Sequence, residues 1–348
     1  MSRHPTDGLR EIGLGTVKIL VIKQTSLGDV LHATAVLRSI RKTYPEARLD
    51  FLTSTTAADI LRYNPGIDQL LLFDRYRVKR DWWRHPVWAL THIRETARTV
   101  RLEQYDLAID LQGSWKTVIF LWAARTARRL VKGRWWFAER FRQSQLHAIE
   151  EMQGLLQLAG IPPADPILEI FASEGERNTV TARLAEFGLA GRRLALFSPM
   201  TRWPTKNWPL ENFLTLARML ADDWFVVLTG SEAERGSLDA LTQSLSAGRA
   251  ASLAGQLTLL EFSELVSRAD VVVTGDSFPM HLAVAHKRPL VALFGPTDES
   301  RVGPRGSGQV VRADVGCRRC YRMVQCDRRC VEKITVDQVL AAVKRVTA

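Results

Sequence analysis

The sequence predicts an α/β protein built from two Rossmann-like parallel-sheet domains, and three observations carry that prediction. The chain has 348 residues, more than the roughly 250–300 at which a single core stops growing. Short β-branched apolar runs alternate with helical patterns along most of it, as βαβ units require. The alternation breaks once, at Ile161-Pro162-Pro163 and the polar segment Ser173–Asn178, and then restarts. We therefore expect one domain over residues 1–170 and another over 171–348, with a cleft between them, a preferred setting for ligands.

In the first half, strands are expected at Val17–Lys23, Arg48–Thr53, Gln69–Phe73 and Asp106–Asp110, with helices at Asp29–Thr43, near Thr55–Tyr63, near Val87–Leu102 and at Ser114–Arg125. A long helical stretch is expected from about Glu139 to Gly160. The second half predicts strands at Arg193–Phe197, Phe225–Thr229, Asp270–Thr274 and Leu290–Phe294. Its helices are expected at Leu210–Leu220, Glu232–Ser246, Leu259–Ser267, Ser277–His286 and Val336–Val346.

Composition narrows the setting. The hydrophobic share is 46%, ordinary for a globular protein. The polar stretch before residue 16 contains no apolar core of a signal peptide, and no apolar run reaches the roughly 20 residues of a membrane helix. A cytoplasmic protein, at most peripheral to a membrane, is expected. The net charge is +11, and two stretches account for it. Residues 75–103 hold eight Lys/Arg against three acidic residues, and residues 125–142 hold seven against one. Such asymmetry implies an acidic partner for one part of the molecule. Trp82, Trp83, Trp88, Trp135 and Trp136 are interleaved with those charges, a mixture that fits nucleic acid or an anionic membrane interface.

The polar loops lie where strands end. Lys23-Gln24-Thr25-Ser26-Leu27-Gly28-Asp29 follows the first strand and opens a helix. Asp29 there suits a helix cap and also a general base facing the cleft; the two roles are compatible. Ser198, Thr201 and Lys206 follow the first strand of the second half, where they could hold and neutralise a diphosphate. Glu232 follows the next strand, placed for ribose hydroxyls or simply for the helix dipole. Gly275-Asp276-Ser277-Phe278-Pro279-Met280-His281 and Phe294-Gly295-Pro296-Thr297-Asp298 each follow a buried strand. Amides at the helix start between them suit a phosphate. His281 is either a packing residue or part of that site. The early Gly13-Leu14-Gly15 precedes a strand and is the wrong way round for a dinucleotide fingerprint.

Cys317, Cys320, Cys326 and Cys330 fall within fourteen residues among Arg318, Arg319, Arg322, Arg328 and Arg329. Their C-x2-C and C-x3-C spacings fit a structural zinc or iron site or a reduced cysteine-rich loop; a disulfide is disfavoured in a reducing compartment.

Together these motifs, with Asp110-Leu111-Gln112-Gly113, Thr201–Trp208 and Leu253-Ala254-Gly255-Gln256, resemble the lipopolysaccharide heptosyltransferases of glycosyltransferase family 9, with its GT-B fold, from about Val17 to Val346. The resemblance implies inverting transfer of heptose from an ADP-sugar to a sugar hydroxyl of the lipopolysaccharide inner core, with no metal needed for the chemistry. Asp29 matches the family's base and Lys206 the residue that steadies the donor diphosphate. Asp276 matches a donor-sugar contact, and Ser277, His281 and Thr297 the donor pocket. Lys23, Ser26, Gly28, Gln112, Arg77 and Arg80 are the acceptor-side candidates, and Ser198, Thr201 and Glu232 join the donor side. Phe278 departs from the Gly often found after Asp-Ser, and the cysteine cluster occurs only in some relatives. The partners implied are the ADP-sugar, the lipid A–core acceptor and the anionic inner face of the inner membrane. A member using another acceptor or donor, such as a protein-directed heptosyltransferase, is the nearer alternative. A basic nucleic-acid-binding protein is the farther one, and no nucleic-acid partner is expected.

Overall fold

A computed structural model describes residues 16–348 except 142–144, 190, 221–222, 246–247, 307, 318 and 325. The polar N-terminus, Gly13-Leu14-Gly15, Arg142, Ser246 and Arg318 lie outside the described residues. The chain divides into two compact units, the first ending at Phe171 and the second beginning at Ala172.

Unit 1 contains strands β1 (Lys18–Ile22), β2 (Arg48–Ser54), β3 (Gln69–Phe73), β4 (Tyr105–Asp110), β5 (Thr126–Lys132) and β6 (Glu139–Phe141). They form one parallel sheet in the order β3-β2-β1-β4-β5-β6. Central β1 pairs Ile19 with both Leu49 and Leu107. Its run Ile19-Leu20-Val21-Ile22 is wholly buried, because a parallel strand covered on both faces needs no polar alternation. Besides a short helix at Ala58–Leu61, the helices are α1 (Leu27–Thr43), α2 (Arg75–Asp81), α3 (Pro86–Leu102), α4 (Trp115–Ala123) and α5 (Ala148–Gln157). α1 packs on α5, and α3 lies beside α4. Val100, Val118 and Phe120 from the latter pair close a core with Leu20, Ile22 and Leu52.

Unit 2 begins with α6 (Glu174–Glu186) and contains β7 (Arg193–Ser198), β8 (Trp224–Leu228), β9 (Ala250–Ser252), β10 (Val271–Gly275), β11 (Leu290–Leu293) and β12 (Gln309–Val311). The order β12-β11-β10-β7-β8-β9, read from its other edge, repeats the topology of unit 1. Helices α7 (Leu210–Met219), α8 (Arg235–Gln243), α9 (Leu259–Arg268), α10 (Phe278–Ala285) and α11 (Val336–Thr347) complete it. α11 packs on α7 and on β10 to β12, and the buried Trp208 indole donates to the Ile334 carbonyl at 2.9 Å. Burying a side chain of that size contributes roughly 1.5–3 kcal/mol.

Several expectations are corrected. Glu139–Gly160 is not one helix: Glu139–Phe141 pairs with β5, and α5 starts only at Ala148 behind a His147 cap. Thr126–Lys132 is a strand despite three basic residues, because Leu130 and Val131 are buried while Arg128 reaches out to Glu139. Ser173–Asn178 opens α6, where Ser173 and Glu176 form a capping box. The helix expected from Glu232 is a 3-10 turn, Glu232–Glu234, before α8. Edge strands β9 and β12, three residues each, are too short to show a period. Among the described residues no helix is long and apolar enough to cross a membrane.

Candidate active site

In open parallel sheets ligands bind beyond the strand C-termini, where the strand order reverses. In unit 1 that point lies between β1 and β4, and in unit 2 between β7 and β10.

At the unit 1 switch point, Asp29 is the third residue of α1. Its Oδ2 accepts from the Ser26 N–H at 2.9 Å and the Ser26 Oγ at 3.1 Å. Asp29 therefore does cap the helix, while 38% of its side chain stays open to solvent. The Lys23 ammonium, nearly buried, lies 3.8 Å from the same oxygen. Crowding by protein would raise the Asp29 pKa, but Lys23, His32 and the Ser26 bonds outweigh it and hold it at about 2. Burial pushes the Lys23 ammonium below its ordinary value, against the pull of Asp29. Asp110, at the end of β4, is fully buried. Desolvation raises it to about 6 despite bonds from the Gly113 and Gln112 amides and Thr117; among the described residues its Oδ2 has no hydrogen-bond partner.

Gln112 does not face outward as a free amide. Its Oε1 accepts from the Gln24 and Thr25 N–H groups at 3.0 and 3.1 Å, so it fixes the path of the loop leading to Ser26 and Gly28. Arg77 stacks on Trp88 at 4.2 Å and reaches Asp81 at 3.7 Å, and Arg80 forms a fork with Asp81. Arg75, which the motif reading passed over, donates to Thr25 Oγ1 at 2.6 Å. Its signal was positional, since it follows β3 at the same rim. Lys132 was missed too: it ends β5 and binds the buried Glu151 at 2.6 Å.

The unit 2 rim is tighter. Lys206 Nζ lies 2.6 Å from Asp276 Oδ2, with both side chains largely buried, and Thr297 Oγ1 donates to that same oxygen at 2.7 Å. Lys206 also sits 4.3 Å over the Trp203 ring. Thr201 holds the loop by accepting from the Trp203 N–H and donating to its carbonyl, while its own N–H meets Asn207 Oδ1. Ser198 Oγ and Thr229 Oγ1 are 2.6 Å apart. Ser277 is the N-cap of α10, and His281, one turn on, is buried. Gly275 is where these loops touch: a Cβ there would come within 3.1 Å of Thr201 and 3.2 Å of the Lys206 carbonyl. Glu232 is exposed and pairs with Arg235 at 2.9 Å. Gly255, at φ +68°, crosses its backbone so closely that a Cβ would overlap it. The Leu253–Gln256 motif is thereby joined to the Glu232 loop.

The cysteine loop braces this rim. Thr205 Oγ1 donates to the Arg322 carbonyl at 2.7 Å, and the Tyr321 N–H to the Pro296 carbonyl at 2.9 Å. Cys317 is exposed, Cys320 and Cys326 are half-buried and Cys330 is buried, all as free thiols. Cys320, above all, raises the Cys317 pKa; burial, then the other thiols, push Cys330 to about 11. Among the described residues no group of three or more His, Cys, Asp or Glu side chains is arranged to hold a metal ion.

Residues 93–330 match the family model for glycosyltransferase family 9 (heptosyltransferase). The chain is 27% identical over 327 residues to lipopolysaccharide heptosyltransferase 2 of Salmonella typhimurium, covering 86% of this chain and 89% of that one. Its fold is similar to the family 9 glycosyltransferase of Veillonella parvula, with a TM-score of 0.81 at 20% identity, covering 96% and 98% of the two chains. It is likewise similar to the ADP-heptose lps heptosyltransferase II of E. coli, with a TM-score of 0.76 at 23% identity, covering 95% and 98%. Two six-stranded parallel sheets of one topology thus make a GT-B fold, and the chain belongs to glycosyltransferase family 9, the heptosyltransferases.

Proposed function

We propose that the protein transfers a heptose from ADP-heptose to a sugar hydroxyl of the lipopolysaccharide inner core, with inversion at the anomeric carbon. The observation that carries this reading is the Lys206–Asp276–Thr297 cluster at the start of α10. A buried cation beside helix amides suits a diphosphate leaving group. The donor and acceptor classes are taken by analogy from the similar proteins, a lipopolysaccharide heptosyltransferase and an ADP-heptose lps heptosyltransferase.

In the step proposed, the acceptor oxygen attacks the anomeric carbon while its proton passes to Asp29. The bond from that carbon to the diphosphate breaks, and ADP leaves with the electron pair. A single displacement of this kind inverts the centre. Lys206 and the α10 amides meet the charge that grows on the diphosphate, in a frame that needs no rearrangement. An Asp29 held at about 2 is ionised throughout the physiological range and takes the proton late, as the new bond forms. Acceptor binding removes water from it and so strengthens it as a base. Lys23, Ser26, Gly28 and Gln112 shape the acceptor side, with Arg77 and Arg80 further out; Ser198, Thr201, Glu232, Ser277 and His281 line the donor side. The enzyme works at the inner face of the inner membrane.

In this reading no resident metal takes part in the chemistry. For the cysteine loop we retain a structural role: a zinc or iron ion shared by the four thiolates would relieve their mutual repulsion. Metal content of protein purified without chelators tests this, and a metal-free, fully folded protein would remove the ion.

The decisive experiment incubates the protein with ADP-heptose and truncated lipopolysaccharides. Release of ADP with a one-heptose mass gain is expected, the new linkage having the anomeric configuration opposite to the donor's. No ADP release with any acceptor would overturn the reading.

A further inference from the structure

Every exposed tryptophan among the described residues lies in unit 1: Trp82, Trp83, Trp115, Trp122 and Trp136. Each follows the C-terminal end of β3, β4 or β5. The segments that carry them therefore begin at the rim that holds Asp29. Trp115, Ile119 and Trp122 recur at helical spacing and form one exposed stripe of α4. On neighbouring α3 the exposed stripe begins with Val87 and Leu90 and continues as Arg94, Arg98 and Arg101. The side chains behind both stripes, among them Ile93, Val118 and Phe120, fill the unit 1 core, so this outer surface is surplus to folding.

Trp83 is 89% exposed and Trp136 85%. Indoles so open to water, clustered with basic residues, mark an interaction face. We infer that this face docks on a bilayer surface rich in anionic lipid, the indoles seated among the headgroups and the arginines meeting lipid phosphates. The inference deepens the acceptor side of the proposed reading, because a lipid-anchored acceptor must reach this rim, and it rests on that reading for its purpose. Charge argues against a second copy as occupant, since residues 75–103 carry eight Lys/Arg against three acidic residues and like faces repel. The indoles are spread over three connections outside paired helices instead of lining a groove that could follow a nucleic-acid strand.

The test is flotation of the full chain with vesicles of phosphatidylcholine, with and without phosphatidylglycerol. Wild type should float with the anionic vesicles and hardly with the neutral ones. Trp83→Ser/Trp122→Ser/Trp136→Ser should weaken vesicle binding at least about tenfold. Arg94→Gln and Arg98→Gln should each weaken it about fivefold. ADP binding and transfer to a delipidated core oligosaccharide should be unchanged in all of these variants. Wild type that stays unbound, or a tryptophan variant that floats like wild type, would overturn the inference. So would a concentration-dependent dimer abolished by the same substitutions, which would assign the face to a second copy. Flotation without any transfer to the oligosaccharide by wild type would instead sink the functional reading and leave the docking face standing.

Discussion

The two units share one topology and place a lysine and an aspartate at equivalent points of it, yet use them differently. In unit 1 Lys23 follows the first strand and Asp110 ends the fourth; in unit 2 Lys206 lies on the loop after the first strand and Asp276 follows the fourth. Lys206 and Asp276 touch at 2.6 Å with Thr297 as a third partner. Lys23 is instead directed to Asp29 at 3.8 Å, and Asp110, buried and with no cation in contact among the described residues, rises to about 6. A switch point thus fixes where polar groups gather, while the neighbours decide their charge state. One rim holds an anionic carboxylate open to solvent, and the other a closed ion pair.

Substitution at Asp29 should separate the rims most sharply. Asp29→Asn keeps much of the cap, so the thermal midpoint should move little, while turnover should fall by about 10²–10⁴ with donor affinity retained. Near-normal turnover would remove Asp29 as the base. At the other rim, Lys206→Met should weaken donor binding and lower kcat together. It should also destabilise unit 2 by about 3 kcal/mol, because Asp276 is left buried and unpaired. Adding Asp276→Asn should restore most of the stability and none of the transfer. Full recovery of activity in that double variant would show the lysine to be structural only.

A smaller effect is carried by pH. The folded pKa of Asp110, about 6, lies above its unfolded value of about 3.9. Its stabilising contribution is therefore complete below the unfolded value and is lost as pH rises through about 6. Denaturant melts of wild type should show this loss between about pH 4 and 6, worth roughly 2–3 kcal/mol, and Asp110→Asn should flatten it. A slope identical in both proteins would mean that Asp110 is not the titrating group. The smallest change is expected from Glu232→Gln. That side chain is exposed and already paired with Arg235, so a two- to threefold loss of donor affinity, about 0.5 kcal/mol, is expected by titration. A tenfold loss would make it a principal ribose contact.

Central strands and loops were legible in the sequence for one physical reason. Strands buried on both faces read as unbroken apolar runs, and the polar residues that follow them must lie at the rim. That argument located Lys23, Asp29, Lys206 and Asp276. It failed toward the edges of the sheets, where β5 carries Arg128 and Arg129 on half-buried positions and β9 is three residues long. Pairings that span long stretches of chain were also hidden. Nothing local to Gln112 signals that it clamps the amides of Gln24 and Thr25, or nothing near Arg75 that it reaches Thr25.

The bracing of the unit 2 loops sets the terms for building chimaeras. Thr205 is bonded to Arg322, Trp208 to Ile334, and α11 lies against α7 and three strands of the sheet. The last thirty or so residues thus belong to the same inheritable module as Lys206 and cannot be traded separately from it. A graft joined between Phe171 and Ala172 would exchange one whole sheet, with Asp29 and the tryptophan face, and sever none of these bonds. A graft that also replaced the C-terminal tail would set foreign carbonyls against Thr205 and Trp208, and donor handling would change along with the acceptor.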